Sequence, residues 1–370
     1  MGVIGATGYS GVELVHLICE HPRLKLTYVA GASSAGLQLG AIYPYVPPES
    51  DVTVVAADPS AAAEVAAVAD VVFLALSTGE SARYVGALRQ AGCLVIDLGG
   101  DLRLENAEEE ERWYGAAARK AGLEMDAAGY LGLRAGAVYG LSELHRPELV
   151  GVGESWRASL GRQTLGPLVT NPGCYPTASV LALAPLLAAG WLEPTSVIVD
   201  AKSGVTGAGR TPKRETHLVE AGESFGPYRV GSHQHQPEIA QEMSRIASEA
   251  VRPRFTAQLL PTRRGILVSV YAVLRQPRSK EELRRRFSSS YGDAPWVRLL
   301  PDGIWPQLHD VVGSNFALLA LDLDEDGRRV SVFAAIDNLL KGAAGQAVQN
   351  LNLLAGWEET LGLPRWAWRP

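Results

Sequence analysis

The sequence predicts an α/β protein: a doubly wound parallel sheet followed by an α+β domain built on a mixed sheet. Three observations predict it. Residues 1–11 read as a short strand, a glycine turn and the start of a helix. Two uninterrupted apolar runs, Val71–Leu76 and Leu94–Leu98, follow with helical stretches between them, and such runs are typical of strands buried on both faces. Beyond about residue 150 the strands lengthen and alternate, as strands do when one face is solvated or helix-covered.

The first turn carries glycines three apart, Gly5, Gly8 and Gly11, with Thr7, Tyr9 and Ser10 between them. Glycines at the end of a strand let backbone approach a pyrophosphate, which then sits on the N-terminus of the next helix, here Val12–Glu20. A tight strand-to-helix turn without ligand is the competing reading. The βαβ sequel favours the ligand and a Rossmann-type domain. The second strand, Leu24–Ala30, runs into Gly31-Ala32-Ser33-Ser34-Ala35-Gly36 without the acid that holds a ribose 2′-OH. The hydroxyls of Ser33 and Ser34 and the free amides of this loop suit a 2′-phosphate, which points to NADP(H) rather than NAD(H). An ordinary Ser/Gly loop is the alternative. Only three or so residues precede the glycine turn, short for a central strand, so the natural start is expected upstream.

The predicted domains are 1–149 for the dinucleotide and 150–337 for substrate and subunit association, with 338–370 returning to the first. The second domain's strands are expected at Val197–Ala201, Ile266–Leu274, Phe316–Asp324 and Val330–Ile336, and a long helix with one small-residue face at 338–354.

Chemistry concentrates in three segments. In Asn171-Pro172-Gly173-Cys174-Tyr175-Pro176-Thr177 a cysteine lies between a Pro-Gly turn and a helix expected at Ala178–Leu187. The positive end of a helix dipole favours the thiolate, hence a nucleophile. A buried structural thiol is the bland alternative, and it suits Cys19 and Cys93 better, since they accompany apolar helix and strand positions. In Ser203–Arg210 the glycines would leave amides open to an anion, with Arg210 as a bidentate partner; a flexible loop is the alternative. His233 and His235, if extended, share one face. With Cys174 they could ligate zinc, or one could act as acid–base beside the thiolate, or neither could have a role. No second cysteine pair accompanies them, which favours acid–base work and no metal.

Composition bounds the rest. With 47% hydrophobic and 20% charged residues the chain is ordinary for a globular protein, and a formal charge of −6 offers no footprint for nucleic acid. Three cysteines without framework spacing indicate a reducing compartment. No apolar run reaches membrane-spanning length and no targeting segment is evident, so a cytoplasmic location is expected. Arg284-Arg285-Arg286 reads as a solvated helix face.

Taken in order, Gly5–Gly11, Asn171–Thr177, Ser203–Arg210, His233–Ile239 and Asn338–Gly345 resemble the N-acetyl-γ-glutamyl-phosphate reductase family, relatives of aspartate-semialdehyde dehydrogenase. Nearly the whole chain takes part. Asp97–Arg103 also resembles a family segment that usually carries Ser and Ala where Gly99 and Gly100 stand. Gln234 occupies a position often held by Arg, and a loop around 151–166 does not align. The resemblance implies NADPH-dependent reduction of an acyl phosphate to an aldehyde through a Cys174 thioester, with His235 or His233 moving protons. It implies Arg210, Arg103, Ser203, Gly204 and Glu238 for the substrate, and Ser77 and Asn338 beside the glycine turn for the coenzyme. It also implies a homo-oligomer, dimer or tetramer. Two alternatives stand: a reductase for the longer aminoadipyl phosphate, one methylene away, and a non-catalytic dinucleotide-sensing module of the same fold.

Overall fold

The computed structural model describes residues 1–32, 34–160 and 164–368. Strands β1 (Gly2–Ile4), β2 (Tyr28–Ala30), β3 (Val54–Val55), β4 (Val71–Leu74), β5 (Leu94–Asp97), β6 (Val138–Tyr139) and β7 (Leu168–Thr170) form a sheet in the order β3-β2-β1-β4-β5-β7-β6. Every pairing in it is parallel. The chain steps outward from β1 to β3, then crosses to β4 on the other side of β1. That places the switch point at the carboxyl ends of β1 and β4, where open α/β sheets bind ligands. Strands β4 and β5 are buried at every residue, the reason they read as unbroken apolar runs. β2 is shorter than the expected Leu24–Ala30, because β1 offers it only Gly2 to Ile4 as partners.

The domain boundary expected at 149/150 lies further on. Two compact units comprise residues 1–172 with 343–363, and 173–342 with the tail from Pro364. Helix Ser142–Ser159 and β7 complete the first unit, since β7 fills the gap between β5 and β6. The expected helix 338–354 is replaced by a π-turn at Leu340–Ala344 and a helix at Gly345–Leu354. Its beginning is held out of α geometry by the Asp337 carboxylate, which accepts the Leu339 and Leu340 amides at 2.8 and 3.1 Å and pairs with Arg264. Helix Gly345–Leu354 is buried at every position despite four amide side chains. Each is bonded: Gln346 to Ser142, Gln349 to Glu143 and Glu359, Asn350 to the Gly140 carbonyl and Asn171, and Asn352 to two carbonyls. Satisfied amides are what permits so polar a helix inside.

The second unit holds β8 (Ile198–Gly204), β9 (Gly226–Tyr228), β10 (Arg254–Leu260), β11 (Ile266–Val273), β12 (Val297–Leu299), β13 (Ala317–Leu323) and β14 (Arg329–Ile336). They order as β12-β13-β14-β11-β8-β10-β9, mixed, with β8–β10 and β12–β13 parallel. Helix Cys174–Ala188 packs on β11 and β14, and helices His235–Ala247 and Lys280–Tyr291 pack on it in turn. Residues Tyr175 to Leu187 are all buried, so this helix is enclosed around its whole circumference, with Thr177 and Ser179 the polar exceptions in an apolar run. Of the arginine triplet, Arg284 binds Asp302 and Arg286 the Pro185 carbonyl, so the face is partly structural rather than merely solvated.

At the end of β5 and in the segment after it the chain buries Asp97, Asp101 and Glu110. Burial, reinforced by Asp101, pushes Asp97 up to about 7 and Glu110 up to about 9. An unfolded glutamate titrates near 4.3. Between there and about 9 the folded protein keeps a proton that the unfolded chain has lost, so stability falls as pH rises through that window. Glu110→Gln removes this cost. Its gain in melting temperature should be small at pH 5 and larger at pH 8, each pH unit of the window being worth at most about 1.4 kcal/mol. Thermal unfolding at the two pH values decides; an equal gain at both would mean that Glu110 is already ionised when folded.

Candidate active site

In the first unit, Gly5 follows β1 with φ +89°, a conformation that favours glycine, and a Cβ there would collide with the Ala75 carbonyl. A Cβ at Gly11 would collide with the Gly5 carbonyl. These two glycines let β1, the turn and helix Tyr9–Glu20 close on one another. The helix starts three residues earlier than expected. Its N-cap, Gly8, has no side-chain cap, leaving the positive helix end for an anion. Thr7 is buried beside Gly31, whose Cβ would stand 3.1 Å from the threonine hydroxyl. Tyr9 is exposed and Ser10 half-buried. Ser77, exposed, lies just beyond β4 at the switch point. Ser33 lies outside the described residues. Ser34 is half-buried in a loop whose Gly31 and Gly36 amides are already bonded to Val55 and Val54, so fewer amides are open here than the sequence implies. The glycine cradle and uncapped helix fit a dinucleotide pyrophosphate.

Arg103 does not reach a substrate surface. It is 4% exposed beside the acids of the Asp97 segment, and its Nη2 donates to the Leu98 carbonyl at 2.7 Å. It balances buried carboxylates, a role that local sequence could not reveal.

In the second unit, Cys174 is the first residue of helix Cys174–Ala188, one turn earlier than expected. Pro176 sits in that first turn, where its missing N–H costs nothing. The thiol is half-buried; Cys93 is buried, which pushes it up to about 11, and Cys19 is half-buried and raised by burial rather than fully in the core. Two features that the sequence did not disclose shape the surroundings of Cys174. A Cβ at Gly342 would stand 2.8 Å from the Cys174 Cβ, so only glycine lets the π-turn approach this closely. And Glu238, fully buried, accepts the Gly173 amide at 2.8 Å. The carboxylate expected to touch substrate instead fixes the turn that presents Cys174.

His233 and His235 are not on an extended strand. Gln234 has helical φ/ψ and His235 opens helix His235–Ala247. The turn still brings the rings together, centroids 4.9 Å apart, and both rings meet the edge or face of Tyr175 within 6 Å. Burial, then His235 and Arg229, drives His233 down to about 2, so it is neutral. Arg229 donates to the Gln234 side chain at 2.7 Å, supplying a cation next to the position where the family often carries one. Among the described residues, no three His, Cys, Asp or Glu side chains converge to hold a metal ion.

The segment Ser203–Arg210 is not an open amide nest. β8 runs through Gly204, and the amides of Gly204, Val205, Thr206 and Gly209 are bonded to Gly265, Thr262, Arg263 and Thr206 carbonyls. Ser203 is buried and donates to the Gly204 carbonyl. Arg210 follows left-handed Gly209 and is exposed. Asn338 spends both ends of its amide inside this unit: Oδ1 accepts from Gly265 and Nδ2 donates to Thr206. It ties two loops together.

A dinucleotide cradle in one unit and, in the other, a helix-start thiol whose neighbour Tyr175 packs against a histidine pair mark a dehydrogenase of the semialdehyde dehydrogenase class. Residues 1–152 match the family described as semialdehyde dehydrogenase, NAD binding domain, and residues 174–338 its dimerisation domain. The N-acetyl-gamma-glutamyl-phosphate reductase of Moorella thermoacetica is 44% identical over 98% of this chain and 97% of its own, and that of Acaryochloris marina 42% identical over 100% and 98%. The chain belongs to the N-acetyl-γ-glutamyl-phosphate reductase family. Among solved structures, aspartate semialdehyde dehydrogenase II of Vibrio cholerae matches with TM-score 0.68 at 17% identity over 96% of this chain and 97% of its own. The NADP complex of the Candida albicans enzyme matches with 0.67 at 17% over 95% and 97%. Both share the fold. No helix among the described residues is long and apolar enough to cross a membrane.

The Glu238 contact generates a test. Glu238→Ala should leave the Gly173 amide buried without an acceptor, at a cost of about 1–3 kcal/mol, and lower the rate. Glu238→Gln keeps an acceptor oxygen and should lose far less of both. Equal damage from the two, measured by thermal unfolding and steady-state rate, would show that charge rather than the acceptor matters.

Proposed function

We propose that this chain reduces N-acetyl-L-glutamyl 5-phosphate to N-acetyl-L-glutamate 5-semialdehyde and phosphate with NADPH, a step of arginine biosynthesis, in the cytoplasm and as a homo-oligomer. The observation that carries the reading is Cys174 at the first position of a helix, with two histidines on the neighbouring helix start. Cys174 thiolate attacks the acyl carbon and expels inorganic phosphate, leaving a thioester. When bound, the coenzyme supplies the hydride that converts this thioester to a thiohemiacetal. Collapse then releases the aldehyde and returns the sulfur to the enzyme. His235 takes the thiol proton and returns a proton to the oxygen or sulfur as charge develops. The pyrophosphate rests on Gly8 to Gly11 and the open helix end, with Thr7 and Ser77 around it, and Ser34 faces the ribose 2′-phosphate. Arg210 is the candidate for the substrate carboxylate, its guanidinium giving the paired contact that a lysine cannot.

Cys174→Ser should nearly abolish turnover while NADPH still binds, because a hydroxyl lacks comparable anionic character. Steady-state assay with coenzyme titration checks this, and retained turnover would defeat the mechanism. In the reverse direction, with phosphate present, N-acetylglutamate semialdehyde should be oxidised much faster than aspartate semialdehyde, and with NADP in preference to NAD. Comparison of kcat/KM values decides both. Faster oxidation of the aspartate compound would refute the substrate; parity between coenzymes would refute the 2′-phosphate site.

A further inference from the structure

We propose that His233 is a positioning residue rather than a proton carrier: locked as the Nε2–H tautomer, it heads a one-way chain of hydrogen bonds through Tyr228 and Tyr175 that holds His235 and the nucleophile's turn in place. The positioning role rests on the function proposed above; the tautomer and the chain do not.

The direction follows from the contacts. The backbone amide of His235 donates to His233 Nδ1 at 3.1 Å, so Nδ1 carries no proton. The ring's single proton is then on Nε2, 3.3 Å from the Tyr228 hydroxyl, which must accept it. Tyr228 therefore passes its own proton onward to Tyr175, 3.1 Å away, and Tyr175 donates to the Gln258 carbonyl at 3.4 Å. This is the arrangement that leaves every donor along the chain with an acceptor. The backbone carbonyl of His233 also accepts the Gln236 amide at 2.9 Å, so His233 starts helix His235–Ala247 with both its backbone and its ring.

The chain joins four elements: helix Cys174–Ala188 through Tyr175, edge strand β9 through Tyr228, the histidine turn, and β10 through Gln258. Tyr175 is the residue next to Cys174, and the last amide in the other direction is that of His235. Both chemical groups are thus one bond removed from the network. His233 is 5% exposed and enclosed by Tyr175, Tyr228, His235 and Phe255 rings, centroids 4.9–5.5 Å away. The ionisable groups facing it are Tyr175, Tyr228, His235 and Arg229. Burial pushes Tyr228 up to about 12 and His233 down to about 2, so neither link changes charge across the working pH range.

The test is long-range ¹H–¹⁵N spectroscopy of the full chain labelled in its seven histidines, from pH 5 to 9. His21, whose Nδ1 accepts the Arg23 amide and whose Nε2 faces Asn352 Oδ1, shares the Nε2–H pattern; a second, non-titrating Nε2–H set should be present in the parent and vanish in His233→Asn. A titrating His233, or one protonated on Nδ1, overturns the proposal. Tyr228→Phe keeps the ring but removes the acceptor, and should change the His233 resonances and lower kcat severalfold with little change in KM; unchanged resonances overturn the chain. His233→Asn keeps an acceptor for the His235 amide through an Asx-type turn and should stay within about tenfold of the parent, against a loss of about 10²–10⁴-fold for His235→Asn. Equal losses overturn the assignment of roles. If the unaltered chain fails to reduce the acyl phosphate, the function falls, and the spectra still decide the tautomer and the chain.

Discussion

The hydrogen bond from the Gly173 amide to the buried Glu238 carboxylate is the constraint on which the chemistry of the second unit depends. It joins the turn before one helix to the first turn of another. Cys174 opens the first helix and His235 opens the second, so one contact links the starts of the two helices that carry the proposed nucleophile and proton carrier. A buried amide left without an acceptor costs about 1–3 kcal/mol, so the turn gives up freedom for position.

The same trade recurs around it. The π-turn comes against Cys174 only because Gly342 lacks a Cβ, and Asp337 sets that turn's entry by taking two amides of its own strand end, the Gly313 amide and the Arg264 guanidinium. Arg264 in turn lies 4.9 Å from the Trp368 ring, so the far end of the chain helps seat the pair. A side chain that sequence assigns to chemistry, such as Asn338 or Glu238, is found holding backbone that presents the chemistry. Polar residues near an active site serve the frame as often as the reaction.

Sequence made the sheets and the helix-start setting of Cys174 legible because both rest on local pattern. Buried strands are apolar throughout, and a glycine turn has few uses. The histidine pair was legible as a pair, but not its geometry: nothing in Ser232–Ile239 says that Gln234 turns helical and His235 begins a helix. Gly342 was hidden in a run of small residues whose meaning depends on what lies opposite. The boundary at 172/173 escaped because β7 has three residues and pairs with strands 30 and 70 residues away. The contacts of Asn338 escaped for a related reason: its partners, Gly265 and Thr206, come from other segments. Hydrogen bonds across such separations leave no periodic trace.

Gly99 and Gly100 show how a departure from a family pattern becomes consistent in three dimensions. A Cβ at Gly99 would strike the Ser81 hydroxyl, and one at Gly100 the Tyr114 ring. Ser81 is fully buried and Tyr114 1% exposed. The volume removed from one segment is therefore filled by two others, and the density of the interior is kept. Restoring a methyl at Gly100 alone would force a buried aromatic to move, an overpacking that typically costs 1–3 kcal/mol. Shrinking Tyr114 in the same chain would relieve it. The glycines and the tyrosine are thus one choice made at two positions, and neither is intelligible from its own neighbourhood in the sequence.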